Sequence, residues 1–170
     1  MQDRHAMTQR QPEAPDTSSP PSPAPSPAPS LDTCPVARTV DIIGDRWSLL
    51  IVRDAFDGVR RFGDFLRSLG VARSMLTTRL RALVEAGILS VQPASDGTSY
   101  QEYVLTPQGR ELFTLIVALR QWGEKHRFGR REPHSTLIDT RTGEPLADLR
   151  PTTRDGRPVT PEDTQVVRPA

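Results

Sequence analysis

Cysteine occurs once in the 170 residues, at Cys34, and lysine once, at Lys125. A single thiol permits no internal disulfide, which fits a reducing compartment. No segment approaches ~18 consecutive apolar residues, and the N-terminus lacks the apolar stretch of a secretory signal, so a cytoplasmic protein with no membrane partner is expected. His5, His126 and His134 show no ligand spacing, and no nucleophile, base and orienting group fall together. Neither an enzyme, a metal site nor a cofactor is expected.

Aromatic residues make up only 5% of the chain, whereas proline occurs 17 times, eight of them within residues 1–30. That arm, ending SSPPSPAPSPAPS, offers no aromatic or β-branched aliphatic side chain to bury and reads as disordered with polyproline character. It is either a solvated tail or a ligand for a proline-recognition module. Three regions follow: the arm at 1–30, a packed domain at 31–128 and an extension at 129–170.

The net charge of +1 is unevenly spread. Between residues 59 and 81 stand Arg60, Arg61, Arg67, Arg73, Arg79 and Arg81 against the single acid Asp64. The same region holds VARSMLTTRLRALVEAGIL, which at 3.6 residues per turn puts Leu76, Leu80, Leu83 and Val84 on one face. The other face carries Ser74, Thr77, Thr78 and Arg81. Solvated helix faces are usually written with Glu, Lys and Gln; Ser and Thr are poorer helix formers whose short side chains both donate and accept.

The flanking text predicts a mainly α fold with a small β wing. In CPVARTVDIIG, Pro35 takes a first helical position and Val36, Val40 and Ile43 share a face to Gly44. DRWSLLIVRDAF starts at Asp45 as N-cap and carries Trp47, Leu50, Ile51 and Ala55. The short helix RRFGDFLRSLG closes at Gly70, and Ser74 is the expected N-cap of the polar-faced helix that follows. Two short helices across a tight turn form a helix-turn-helix pattern. ILSVQ and YQEYVLT alternate as strands about Asp96-Gly97, a hairpin signal. A helix from Thr106 to Phe128 then carries Leu112, Leu115, Ile116, Leu119 and Trp122 on a stripe that Phe113 and Val117 widen. This stripe is broader than one small core can cover, so it predicts a dimer surface. Trp47 and Trp122 suit core and dimer packing better than a ligand cage.

The order and wording of CPVARTVDIIGDRWSLLIVRDAF, RRFGDFL, SMLTTRLRALVEAGIL, EYVLTPQGREL and ALRQWGEKH resemble the HxlR-type winged helix regulators, bacterial relatives of the MarR group. The likeness spans residues 34–128. It implies a winged helix-turn-helix that dimerises through its terminal helices and regulates transcription from a palindromic operator in double-stranded DNA, with no catalysis. Carried onto this sequence, it makes Ser74 to Ala86 the recognition helix, with Ser74, Thr77 and Thr78 at base edges and Arg73 and Arg81 flanking them at phosphate or guanine. Arg61 would start the supporting helix beside the DNA backbone. The sequence departs from the family in the wing, where Tyr100 replaces the usual basic residue and the tip carries Asp96. The rival reading from another class is a winged helix that docks a protein partner through the same face, without DNA.

Cys34 leaves two roles open. A sulfur at a helix N-cap meets unpaired amides and the helix dipole, with Arg38 one turn on, and some members of the resembled family sense oxidants through a cysteine here. A small buried side chain at a helix start is the plainer role. A small-molecule or oxidant effector fits either way. In the extension, TRTGEPL and TRDGRPV repeat at a thirteen-residue offset about Gly143 and Gly156, which reads as two turns or a short β-ribbon, or as disorder; without thiolates no zinc ribbon can form.

Overall fold

A computed structural model describes residues 31–167 and 169, so the proline-rich arm lies outside the described residues. Among the described residues six α-helices and one hairpin follow in the order α1 (Pro35–Ile43), α2 (Arg46–Phe56), α3 (Phe62–Leu69), α4 (Arg73–Glu85), β1 (Leu89–Pro93), β2 (Gln101–Leu105), α5 (Pro107–Glu111) and α6 (Phe113–Arg127), with short 3-10 helices at Leu31–Thr33 and Pro161–Asp163. Helix–turn–helix followed by an antiparallel wing is the winged helix architecture.

Local chemistry sets most boundaries. Cys34 is the extended N-cap residue of α1 and Pro35 its first helical residue. Asp45 caps α2, its carboxylate accepting from the amides of Trp47 at 3.0 Å and Ser48 at 3.1 Å. Partial burial pushes this carboxyl up, but the Ser48 hydrogen bonds and the charge of Arg79 bring it below its ordinary value, so it is ionised at neutral pH. Gly70 ends α3 in the left-handed region at φ 61°, where any side chain would be strained.

The expected cap of α4 is corrected. Its N-cap is Ala72, not Ser74, and Ser74 lies exposed inside the first turn. The three-residue turn from Gly70 must tuck Val71 against the core, and that packing starts the helix before the better capping residue arrives. The polar-faced helix therefore spans Arg73–Glu85.

The core is one cluster made by α2 over α4. Ile51 and Val52 meet Phe65, Leu76, Leu80 and Leu83, with Ile43, Ile88 and Leu89 at its edges. Each fully buried side chain of this kind contributes roughly 1.5–3 kcal/mol. β1 and β2 pair from Leu89 opposite Leu105 to Pro93 opposite Gln101.

The single helix expected from Thr106 to Phe128 is also corrected, since it breaks at Leu112 into α5 and α6. Thr106 anchors the start, its hydroxyl donating to the Gly87 carbonyl at 2.6 Å and accepting from the Gly109 amide at 3.0 Å. α5 lies so close to the wing that a Cβ at Gly109 would stand 2.1 Å from the Ile88 carbonyl oxygen. At the break the Leu112 amide bonds to the Gly109 carbonyl at 3.2 Å in a tighter turn, and Leu112 and Ile116 pack against the core.

Residues 137–159 form two turns, closed by bridges between Ile138 and Pro145 and between Thr152 and Pro158, with Gly143 and Gly156 at φ 74° and 87°. The extension also docks on α6. Arg120 donates to the Ser135 carbonyl at 3.0 Å and hydroxyl at 2.9 Å, while the Gln121 amide donates to the Ala147 carbonyl and accepts from the Leu149 amide.

Candidate nucleic-acid interface

Helix α4 divides cleanly between its two faces. Leu76, Leu80 and Leu83 are buried, while Arg73, Ser74, Met75, Thr77, Thr78, Arg81 and Glu85 are exposed. Burial of the leucines fixes the rotation of the helix, so the polar row faces outward as a rigid unit. The Thr77 hydroxyl donates to the Arg73 carbonyl at 2.9 Å, and the Thr78 hydroxyl to the Ser74 carbonyl at 3.0 Å. Each donor is thus engaged inside the helix, which leaves oxygen lone pairs to accept from a cytosine or adenine amino group and a methyl to meet a thymine methyl.

The flanking arginines are held in different ways. Arg73 lies over the Phe62 ring at 5.1 Å, which ties α4 to the start of α3 and holds the guanidinium without a carboxylate. Arg81 donates to Glu85 one turn on at 2.7 Å in a fully solvated pair. Such pairs are worth at most about 1 kcal/mol, so a phosphate can displace Glu85.

Arg61 takes a position that its sequence context did not show. It is the N-cap residue of α3, but its guanidinium crosses to the wing and pairs with Asp96. Glu102 lies 3.9 Å from it and the Tyr100 ring 5.6 Å. Asp96 is held at a pKa of about 2, first by the Thr98 hydroxyl and then by Arg61, so this latch is charged on both sides throughout the neutral range. The latch brings a guanidinium from the start of α3 to a wing whose own strands carry no basic residue, and there it is paired with Asp96.

Glu102, and the place of Arg60 beside it, were not visible in the sequence. Glu102, the second residue of β2, is buried, accepts from Ser95 at 3.4 Å, and has Arg60 at 3.7 Å; the Arg60 carbonyl accepts from the Tyr103 amide at 2.8 Å. A carboxylate beside the apolar run Tyr103 to Leu105 was the available signal. Arg79, counted in the basic segment, instead reaches Asp45 at 3.2 Å and braces α4 against the start of α2.

The predicted dimer residues divide as well. Leu115, Leu119 and Trp122 are exposed along α6, with Phe113 beside them, whereas Leu112 and Ile116 are half-buried on the core and Val117 is buried. Val36 and Val40 leave α1 with an exposed apolar face, 70% and 55% accessible. Cys34 is half-buried at the N-cap, but its sulfur makes no capping hydrogen bond, and Arg38 donates instead to the Asp32 carbonyl at 2.8 Å. Among the described residues no helix is long and apolar enough to cross a membrane.

Comparison with known proteins gives a consistent family. A family model described as HxlR-like helix-turn-helix matches residues 42–130. An uncharacterized HTH-type transcriptional regulator of Mycobacterium tuberculosis is 50% identical over 91 residues, which is 54% of this chain and 58% of that protein. The chain thus matches little more than half the length of this relative. The crystal structure of PA1607, a candidate transcription factor, is 51% identical with a TM-score of 0.77 over 81% of this chain and 96% of that one. The redox regulator HypR in its reduced form is 34% identical, with a TM-score of 0.51 over 55% of this chain and 94% of its own.

Proposed function

Because the chain belongs to the HxlR-like helix-turn-helix family, we propose that it is a cytoplasmic DNA-binding transcriptional regulator, a homodimer that places the outer face of α4 in successive major grooves of a palindromic operator. The observation that carries this reading is the rigid Arg73, Ser74, Thr77, Thr78, Arg81 row over a leucine-packed inner face. Arg73 and Arg81 serve phosphates or guanine, the hydroxyl residues serve base edges, and the latched Arg61 lies where the wing meets the backbone.

The test is substitution of the hydroxyl residues. Thr77→Ala and Thr78→Ala should each weaken binding to the specific operator by about 1–3 kcal/mol while non-specific DNA binding and melting temperature stay near wild type. Operator affinity unchanged in a titration of both variants would remove this face from recognition.

An oxidant response through Cys34 is the finer part of the proposal. It is supported by the placement of the thiol at the start of α1, whose exposed valines adjoin it, and by the likeness to HypR. With one cysteine in the chain, oxidation would yield an intersubunit disulfide or a mixed adduct. Peroxide or a quinone should then release operator DNA, thiol should restore binding, and Cys34→Ser should bind equally well in both conditions. Wild-type protein that holds its operator under oxidant makes Cys34 structural.

A further inference from the structure

We propose that the cavity between α2, α6 and the C-terminal extension is a binding site for an uncharged, aromatic-sized alcohol or phenol. The cavity has a volume of about 280 Å³. That is near the lower end of small-molecule sites and fits one or two fused rings. Leu49 and Leu50 of α2, Ile116 and Leu119 of α6, and Phe128 make its apolar walls. His134 and Ser135, on its third side, belong to the extension and lie beyond the stretch that the family model matches.

Gly123 points to a purpose for the space. It sits inside α6, where glycine is the poorest ordinary helix former, and it lines the cavity. A Cβ built there would meet nothing within 4 Å, so no close approach of another segment demands the glycine. Its effect is to keep one wall open. Gly109, by contrast, is required by the Ile88 carbonyl.

The charges around the cavity select a neutral ligand. The Arg53 guanidinium donates to Asp54 at 2.9 Å, and Arg120 is committed to Ser135 and stands 3.8 Å from Glu124. Both cations are compensated, so a carboxylate ligand would meet Glu124 and an ammonium would meet two arginines, each with its own desolvation penalty. The buried Oε1 of Glu124 accepts no hydrogen bond. A hydroxyl on the ligand supplies the donor for this polar end, and the ring fills the leucine-lined end.

The site is wired to the recognition helix. Leu49, Leu50 and Arg53 lie on α2, whose N-cap Asp45 holds Arg79 of α4 and whose Ile51 and Val52 pack beneath Leu76 and Leu80. A ring wedged between α2 and α6 therefore biases the angle between α4 and the α6 surface. This regulatory consequence rests on the DNA-binding reading, whereas ligand binding itself does not.

The experiment is calorimetric titration of the full chain, without DNA, using 2-naphthol as the probe. Saturable binding of one molecule per chain is expected, with 2-naphthoate and 2-naphthylmethylammonium each at least about tenfold weaker. Gly123→Leu, whose Cβ has nothing within 4 Å, should bind at least about tenfold more weakly while melting cooperatively. Should that variant fail to melt cooperatively, Gly123→Ala takes its place and must also weaken binding. Three results overturn the proposal: no saturation up to the solubility limit of 2-naphthol, equal affinity for the naphthoate, or unchanged affinity in the folded glycine variant. Because no DNA is present, failure here is distinct from failure of the operator-binding proposal, which is read by titration of the operator alone.

Discussion

Leu115→Glu should convert the protein to a monomer that folds normally and scarcely binds its operator. Leu115 is 37% accessible on α6, in a row with Leu119 at 46% and Trp122 at 59%. A carboxylate in that row is harmless while the face is wet, but is left without a partner once a second copy covers it. The fold is spared because this face is separate from the core. Leu112→Glu and Ile116→Glu would instead charge the side that packs on the core cluster, and would report on folding rather than assembly. Losing the second half-site removes an avidity gain of roughly 10²–10⁴, so operator affinity should fall by about that factor. Two recognition helices must also sit about 34 Å apart to meet successive major grooves, a spacing that only a rigid pair provides. Sedimentation at micromolar concentration and an operator titration check both halves. A wild-type monomer in the same sedimentation run would sink the homodimer scheme outright.

The parts of the fold legible in the sequence are those governed by local chemistry. Pro35, Asp45, Gly70 and Thr106 act at helix ends through their own backbones and near neighbours, so their spacing is enough to place α1 to α3 and the start of α5. The inner face of α4 was equally readable, since its leucines repeat at helical spacing. Ser74 misleads because capping by a serine is worth less than seating Val71 on the core. The break at Leu112 was hidden for a related reason: the close seat of Gly109 on Ile88 is a tertiary feature, and the stripe beyond it keeps its period across the break.

The candidate site was legible as a face and illegible as a network. Hydroxyl residues opposite leucines, in a segment rich in arginine, can be found by periodicity alone. Which arginines remain available cannot, because their partners are distant in sequence. Arg61 and Asp96 are 35 residues apart, and their pairing moves a cation from α3 to the wing. Arg79 looks like part of the same basic row, yet Asp45 claims it for the α2–α4 junction. The docking of the extension on Arg120 and Gln121 is of the same kind, because neither side chain differs in sequence from an ordinary solvated one.

This sorting of the arginines gives the salt dependence of DNA binding its expected form. Arg67 and Arg81 are 77% and 79% accessible and are paired only with neighbours on their own helices, Asp64 and Glu85. Phosphates can take over both at little cost. Arg73 needs no release, since only the Phe62 ring holds it. Arg60 and Arg61 are held at the wing by Glu102 and Asp96, whose carboxylates offset their charge, so they add less. Two copies of such a set supply on the order of 6–10 phosphate contacts, and operator affinity should then fall about 10³–10⁵-fold between 50 and 200 mM salt. Arg73→Ala and Arg81→Ala should each flatten the log–log slope by about 2, roughly one unit per subunit. Arg79→Ala should behave differently, lowering the melting temperature by freeing Asp45 while leaving the slope nearly unchanged. A winged helix that docks a protein partner through an apolar face would show almost no slope at all. Fluorescence anisotropy with operator and with random duplex across that salt range separates the two, and a flat response with the operator would remove α4 from any role in holding DNA.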